Sequence, residues 1–328
     1  MSKLAIKIGV IGGANIADRF VVPAILMLPQ LFELSAIASR DKSKADALAK
    51  KFGAKAYYDY DSLLDNSSVQ AVYIPLPNSL HYQWIKKALL AGKHVLVEKS
   101  MACTLEDVIE LNELAQKNNL VLLENFQFRF HKQLDKIKTL LAEGAIGELR
   151  NIKSSFGFPP FTDKNNIRYK EELGGGALLD AGAYPLKLAQ EILNEKLYVD
   201  SASLFYDSKI GVDIWGAAQI KSIDSPLVMQ ASFGFDNSYM CNLEIWGSKG
   251  VINAERIFTS PPGQEANINL ITNKGKEVIT ILEDNHFANL LIYFSDLILN
   301  PITAKKEYVS NVIQANLIAQ LRGKASEQ

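Results

Sequence analysis

The sequence predicts an α/β protein in which a doubly wound parallel sheet is followed by an α+β domain with a large, mostly antiparallel open sheet. Three observations carry this. Up to about Glu124, short apolar runs alternate with amphipathic stretches of helical period. The first of these runs, Ile6 to Ile11, breaks into Gly12-Gly13-Ala14-Asn15-Ile16-Ala17, a small-residue turn that opens a helix. Late in the chain, strand-like runs follow one another with only short turns between them, as in an antiparallel sheet.

In order, strands are predicted at Ile6 to Ile11, Phe32 to Ala38, Ala71 to Ile74, His94 to Val97 and Leu120 to Leu123. Helices fall between them at Lys42 to Lys51, Ser79 to Ala91 and Thr104 to Lys117. Beyond Asn125 the pattern gives a helix (Leu134 to Glu143), a strand (Leu149 to Phe156), a Gly/Pro/Asn-rich loop and a helix from Gly176 to Leu193. Strands then follow at Ala202 to Tyr206, Ile214 to Ile220, Val228 to Phe235, Tyr239 to Trp246 and Asn267 to Thr272, with closing helices at Phe287 to Leu299 and Ile313 to Arg322. At 328 residues the chain exceeds one compact core, so two domains are expected, 1–125 and 126–328.

Composition excludes several classes of function. With 35 basic and 36 acidic side chains, 48% hydrophobic and 22% charged residues, nothing selects for a nucleic-acid or membrane partner. Cys103 and Cys241 are far apart and the four histidines are scattered, so no metal is expected and a reducing, cytoplasmic compartment fits. Lys3 and the apolar run after it imitate a signal peptide, but Asp18 and Arg19 end the run and no cleavage site follows. No run reaches the roughly eighteen apolar residues that span a bilayer.

The Gly12 turn reads G-x-A-x-x-A, with Ala14 at the second small position. Backbone N–H groups at such a turn approach a pyrophosphate, so Gly12, Gly13, Ala14, Asn15 and Ile16 are candidate cofactor contacts; the alternative is a plain strand-to-helix connection. An acidic residue at the end of the second strand selects a free ribose hydroxyl. Here that place holds Ser39 and Arg40, with Lys44 a helical turn on, a set that suits a 2′-phosphate and predicts NADP(H) over NAD(H). Alternatively Arg40 and Lys44 are solvated residues at a helix start, for which Asp41 is a good N-cap.

Three more segments complete the pattern: Ile74-Pro75-Leu76-Pro77-Asn78-Ser79-Leu80-His81, Val97-Glu98-Lys99-Ser100, and Gly174-Gly175-Gly176-Ala177-Leu178-Leu179-Asp180-Ala181-Gly182-Ala183-Tyr184-Pro185. Together they resemble the glucose–fructose oxidoreductase/inositol dehydrogenase (Gfo/Idh/MocA) superfamily of NAD(P)-dependent sugar oxidoreductases over nearly the whole chain. The resemblance implies a Rossmann domain at 1–125 and a substrate-binding and oligomerisation domain at 126–328. It also implies cofactor contacts at Pro75, Leu76, Asn78, His81, Glu98, Lys99 and Arg168, and a substrate site with Lys99, Asp180 and Tyr184. His81 and Arg168 have structural alternatives, a satisfied core imidazole and a surface cation, and Asp180 that of a helix-surface carboxylate. Gln127 and Arg129, flanking Phe128, alternate as strand residues do and are placed to face a cleft.

Reduction of a ketone builds negative charge on its oxygen, which calls for a proton donor and a cation. Tyr184 supplies the first and Lys99 the second, and an ammonium nearby favours a phenolate. Relatives read Glu-Lys-Pro where this chain has Ser100, and loss of the proline predicts a less firmly held Lys99. Tyr at position 184 and the segments Ser154 to Phe161 and Asn166 to Tyr169 are most similar to nucleotide-sugar 3-ketoreductases. The implied function is NADPH-dependent reduction of a keto-sugar; alternatives are an NADP-dependent dehydrogenase of free aldoses or cyclic diols, and a non-catalytic cofactor sensor. An open apolar sheet face predicts a homodimer or homotetramer.

Overall fold

The computed structural model describes residues 5–194 and 196–326; Lys3 and Leu4, with which the sequence pattern begins, lie outside them. Two compact units divide the chain: Met1–Asn125 with Phe287–Val312, and Phe126–His286 with Ile313–Gln328.

The first unit is built on strands β1 (Ile6–Ile11), β2 (Phe32–Ala38), β3 (Lys55–Tyr57), β4 (Ala71–Ile74), β5 (His94–Glu98) and β6 (Leu122–Asn125). They form a parallel sheet in the order β3-β2-β1-β4-β5-β6. Burial on both faces explains why these strands read as continuous apolar runs: all four residues of β4 and of β6 are buried. Helices α1 (Val22–Leu26), α2 (Lys42–Phe52), α3 (Tyr60–Leu64), α4 (Asn78–Leu90) and α5 (Leu105–Lys117) connect them. Local chemistry sets their starts: Asp41 accepts from the Lys44 N–H at 3.1 Å and Thr104 from the Asp107 N–H at 3.2 Å. The strand order reverses between β1 and β4, the place where such sheets bind ligands beyond the carboxyl ends of their strands.

In the second unit, α6 (Lys132–Ala142) precedes β7 (Leu149–Gly157), and a π-helical turn (Leu178–Gly182) runs into α7 (Ala183–Leu193). Then come β8 (Leu197–Tyr206), β9 (Asp213–Ser222), β10 (Val228–Gly234), β11 (Met240–Gly247), β12 (Gly250–Glu255), β13 (Ala266–Thr272) and β14 (Gly275–Ile281). The eight-stranded sheet runs β14-β13-β12-β11-β7-β10-β9-β8, antiparallel except where β7 pairs with β10. One face alternates inward to the core through Ile152, Phe156, Ala218, Ile220, Met229 and Phe233. Its other face carries exposed Phe205, Trp215 and Trp246. Strands β3, β12 and β14 escape the sequence pattern, the last because its first four residues, Gly275 to Val278, are all exposed and show no alternation.

Two helices close the chain, α8 (His286–Leu299) and α9 (Lys305–Ser326). The composition assigns all of 126–328 to the second domain, whereas the structure returns Phe287–Val312 to the first. Packing supplies the reason. Phe287 stacks on Phe20 at 5.1 Å and Phe294 on Phe32 at 6.4 Å, and the Tyr308 hydroxyl donates to the Leu120 carbonyl at 2.5 Å. No single helix among the described residues is long and apolar enough to cross a membrane.

Candidate active site

In the first unit the turn after β1 is shaped by what its glycines lack. Gly12 has φ +117°, and a Cβ there would lie 2.8 Å from the Leu76 Cδ2 and 3.4 Å from the Pro75 carbonyl oxygen. A Cβ on Gly13 would meet Lys44 Cε at 2.9 Å. The turn therefore draws together the β4–α4 loop on one side and the Lys44 side chain on the other. Ala14 accepts from the Ala17 and Asp18 N–H groups at 3.0 and 3.2 Å; Asn15 is exposed and Ile16 half-buried.

Past β2, Ser39 is buried and its hydroxyl accepts from the Asp41 N–H at 3.2 Å, while Arg40 and Lys44 are exposed. The one carboxylate in this stretch, Asp41, is committed to capping α2. This stretch thus presents two exposed cations, Arg40 and Lys44, beside a carboxylate turned to its own helix.

At the end of β5, Glu98 accepts from the Tyr73 hydroxyl and from Asn125 Nδ2, each at 2.6 Å. Burial pushes its carboxyl above the usual range, against both donors and the adjacent Lys99. Lys99 is half-buried, and the peptide joining it to Ser100 is cis. Loss of the proline predicts a looser Lys99, yet the following residues are held on both sides. The Ser100 N–H donates to Asn78 Oδ1 at 3.2 Å, and the Met101 N–H to Glu124 Oε1 at 2.7 Å.

For His81 the resemblance implies a cofactor contact, with a satisfied core imidazole as the alternative. His81 is 0% exposed, with Nδ1 2.7 Å from the Ser100 carbonyl and Nε2 2.7 Å from the Leu76 carbonyl. So enclosed, the imidazole lies between two loops and faces a carbonyl of each. Burial pulls its pKa down to about 4, against the pull of both carbonyls and with the help of Lys99. A neutral ring has one N–H, so it serves one of these carbonyls at a time.

The second unit carries Tyr184, Asp180 and Arg168. Tyr184 is 8% exposed, its ring 5.0 to 5.9 Å from Phe126, Phe128, Phe156 and Phe258. Asp180 accepts from Arg168 Nε at 2.6 Å, and the guanidinium lies 4.9 Å from the centre of the Phe161 ring. Asp180 holds Arg168 more firmly protonated than usual, and the Tyr184 oxygen contributes in the same direction. The resemblance implies a cofactor contact at Arg168; within its own unit it is the ionic partner of Asp180 and a cation near Tyr184.

Two groups behind this trio escape sequence inspection. Asp213, on β9, accepts the Leu178 N–H at 2.5 Å and packs against Gly176, whose φ of +108° brings the chain over the carboxylate. It thus fixes the start of the helix that presents Asp180 and Tyr184. The phenylalanine cage comes from three separate segments, 126–128, β7 and the stretch around Phe258, and no local motif announces that they converge on Tyr184. Gln127 and Arg129 depart from the strand-like alternation because 127–130 is a 3-10 turn. Gln127 donates to the Phe258 carbonyl at 3.4 Å, and Arg129 pairs with Glu191 at 2.7 Å. Among the described residues no cluster could hold a metal ion.

Comparison with known proteins follows these features. Residues 6–126 match the oxidoreductase family with NAD-binding Rossmann fold, and residues 134–253 match the Gfo/Idh/MocA C-terminal domain. A dTDP-3,4-didehydro-2,6-dideoxy-alpha-D-glucose 3-reductase of Saccharopolyspora spinosa is 42% identical over 265 residues, 81% of this chain and 79% of the relative. The reductase of that name from Actinomadura kijaniata is 35% identical over 317 residues, 97% and 95% of the two chains. The crystal structure of KijD10, a 3-ketoreductase from Actinomadura kijaniata in complex with NADP and TDP-benzene, superimposes with a TM-score of 0.93 at 34% identity, covering 97% of each chain. That reductase has also been solved with a lysine replaced by alanine or glutamate and with a tyrosine replaced by phenylalanine. With both halves matched and relatives this similar along nearly its full length, the chain belongs to the Gfo/Idh/MocA family of oxidoreductases.

Proposed function

We propose that the protein reduces the C3 ketone of a nucleotide-linked keto-deoxyhexose with NADPH. The observation that carries this is Tyr184, a phenol at the edge of burial inside an aromatic cage, beside the Arg168–Asp180 pair. Arg40 and Lys44 support the phosphorylated cofactor, and the names of the similar reductases support the dTDP-linked sugar. When bound, NADPH supplies a hydride to the carbonyl carbon. Tyr184 gives the proton that turns the ketone oxygen into a hydroxyl. Lys99 sets a positive charge where negative charge develops on that oxygen. Asp180, oriented by Arg168, accepts a sugar hydroxyl. Gly12 to Ile16, Pro75 and Leu76 hold the dinucleotide along the β1 turn. Cys103 and Cys241, which form no disulfide, agree with a cytoplasmic place, and the exposed face of the eight-stranded sheet with a homodimer or homotetramer.

Two variants test the assigned roles with NADPH and a dTDP-linked 3-keto-sugar made in place. Lys99→Ala and Tyr184→Phe should each lower kcat by about 10² or more while the NADPH affinity stays near that of the parent. A Tyr184→Phe enzyme with parental kcat would remove the phenol from the reaction.

A further inference from the structure

The residue after Lys99 is where this chain departs from the Glu-Lys-Pro pattern, and the departure adds a group. Serine has a main-chain N–H that proline lacks. That N–H meets Asn78 Oδ1 at 3.2 Å, while the carbonyl of the same residue lies 2.7 Å from His81 Nδ1. Both partners sit in the first turn of α4, three residues apart and so on one helix face. Ser100 is 2% exposed and His81 0%, while Asn78 is half-buried. One turn of α4 thereby grips both polar atoms of the main chain immediately after Lys99. Glu124, on β6, holds the next N–H, that of Met101, at 2.7 Å.

We propose that Asn78 is a positioning residue for Lys99, acting through the Ser100 N–H that a proline at this place would not offer. The side-chain carbonyl does by a hydrogen bond what a pyrrolidine ring does by covalent restriction, and it fixes where the lysine side chain leaves the main chain. Chain and helix are coupled as a result: α4 begins at the β4–α4 loop that faces Gly12, so that loop and the lysine are held to one another. This rests on the role given to Lys99 above.

The test pairs amide hydrogen exchange with turnover in Asn78→Ala, Asn78→Asp, Ser100→Pro and the Asn78→Ala/Ser100→Pro double variant. Asn78→Ala should expose the Ser100 amide to faster exchange and lower kcat, at saturating NADPH, about tenfold. Asn78→Asp, which keeps an acceptor oxygen, should restore slow exchange and most of the kcat. In the Ser100→Pro background the kcat loss caused by Asn78→Ala should shrink by at least about threefold, because the coupled donor is gone. Unchanged Ser100 exchange in Asn78→Ala, or the same kcat loss in both backgrounds, overturns the proposal. If the exchange responds as stated but the parent enzyme reduces no keto-sugar, the positioning contact stands and the assigned function falls.

Discussion

At the level of single side chains, the proposed choice of NADPH rests on Arg40 and Lys44. Both are exposed at the junction of β2 and α2, and Asp41 is turned away to its own helix. A double replacement, Arg40→Ala with Lys44→Ala, should raise the KM for NADPH about tenfold to a hundredfold and leave that for NADH nearly unchanged, since only the 2′-phosphate loses its charged partners. Equal losses with both cofactors in steady-state kinetics would contradict this. Lys99, Tyr184, Asp180 and Arg168, the residues proposed for the site, each lie in a local motif that the sequence shows. Their pairing was not: the Arg168–Asp180 ion pair joins a loop to a helix twelve residues away, and the caging of Tyr184 needs Phe126, Phe128, Phe156 and Phe258 from distant segments. His81 was visible as a histidine of a motif, but only its burial between two carbonyls shows that it binds the protein to itself.

Among the elements, α8 starts at His286, a ring 5.6 Å from that of His131 and 2% exposed. Burial, with the neighbouring His131 adding to it and Asp284 opposing it, brings the His286 pKa down to about 3. The unfolded chain takes up its proton near the ordinary value of about 6.5, whereas the folded ring stays neutral until about pH 3. The neutral ring's contribution is therefore complete above about pH 6.5 and drains away as pH falls toward the folded value. Against a His286→Gln variant, the parent should lose up to about 1.4 kcal/mol of unfolding free energy per pH unit below 6.5, read from denaturant curves at matched pH. Parallel pH dependences for the two would mean that His286 titrates normally in the fold. The elements themselves followed largely from periodicity: α2, α4 and α5 came within a residue or two at each end, because Asp41, Thr104 and the Pro77 before α4 mark their starts locally. Strands β12 and β14 did not, since sheet pairing with β11 and β13 rather than their own alternation defines them.

At the scale of the whole molecule, the return of Phe287–Val312 to the first unit was invisible in the sequence, because an amphipathic helix does not announce which core its apolar face fills. The uncovered face of the eight-stranded sheet bears on assembly. Trp215 and Phe205 stack 5.3 Å apart there at 44% and 48% exposure, and Trp246 is 56% exposed. Light scattering should give a mass of two or four times 36.3 kDa, and Trp215→Glu should shift it toward 36.3 kDa. A parental chain that runs at 36.3 kDa at working concentration would remove the sheet face as a subunit contact. The central claim, NADPH-dependent reduction of a nucleotide-linked 3-keto-sugar, is tested most directly by initial rates of the purified protein. NADPH and NADH would each be paired with the dTDP-linked keto-sugar and with free aldoses. Rapid NADPH oxidation with the dTDP-linked sugar, at least about tenfold faster than with NADH and absent with free sugars, is the expected result. Turnover of free aldoses with no response to the dTDP-linked ketone would contradict the assignment.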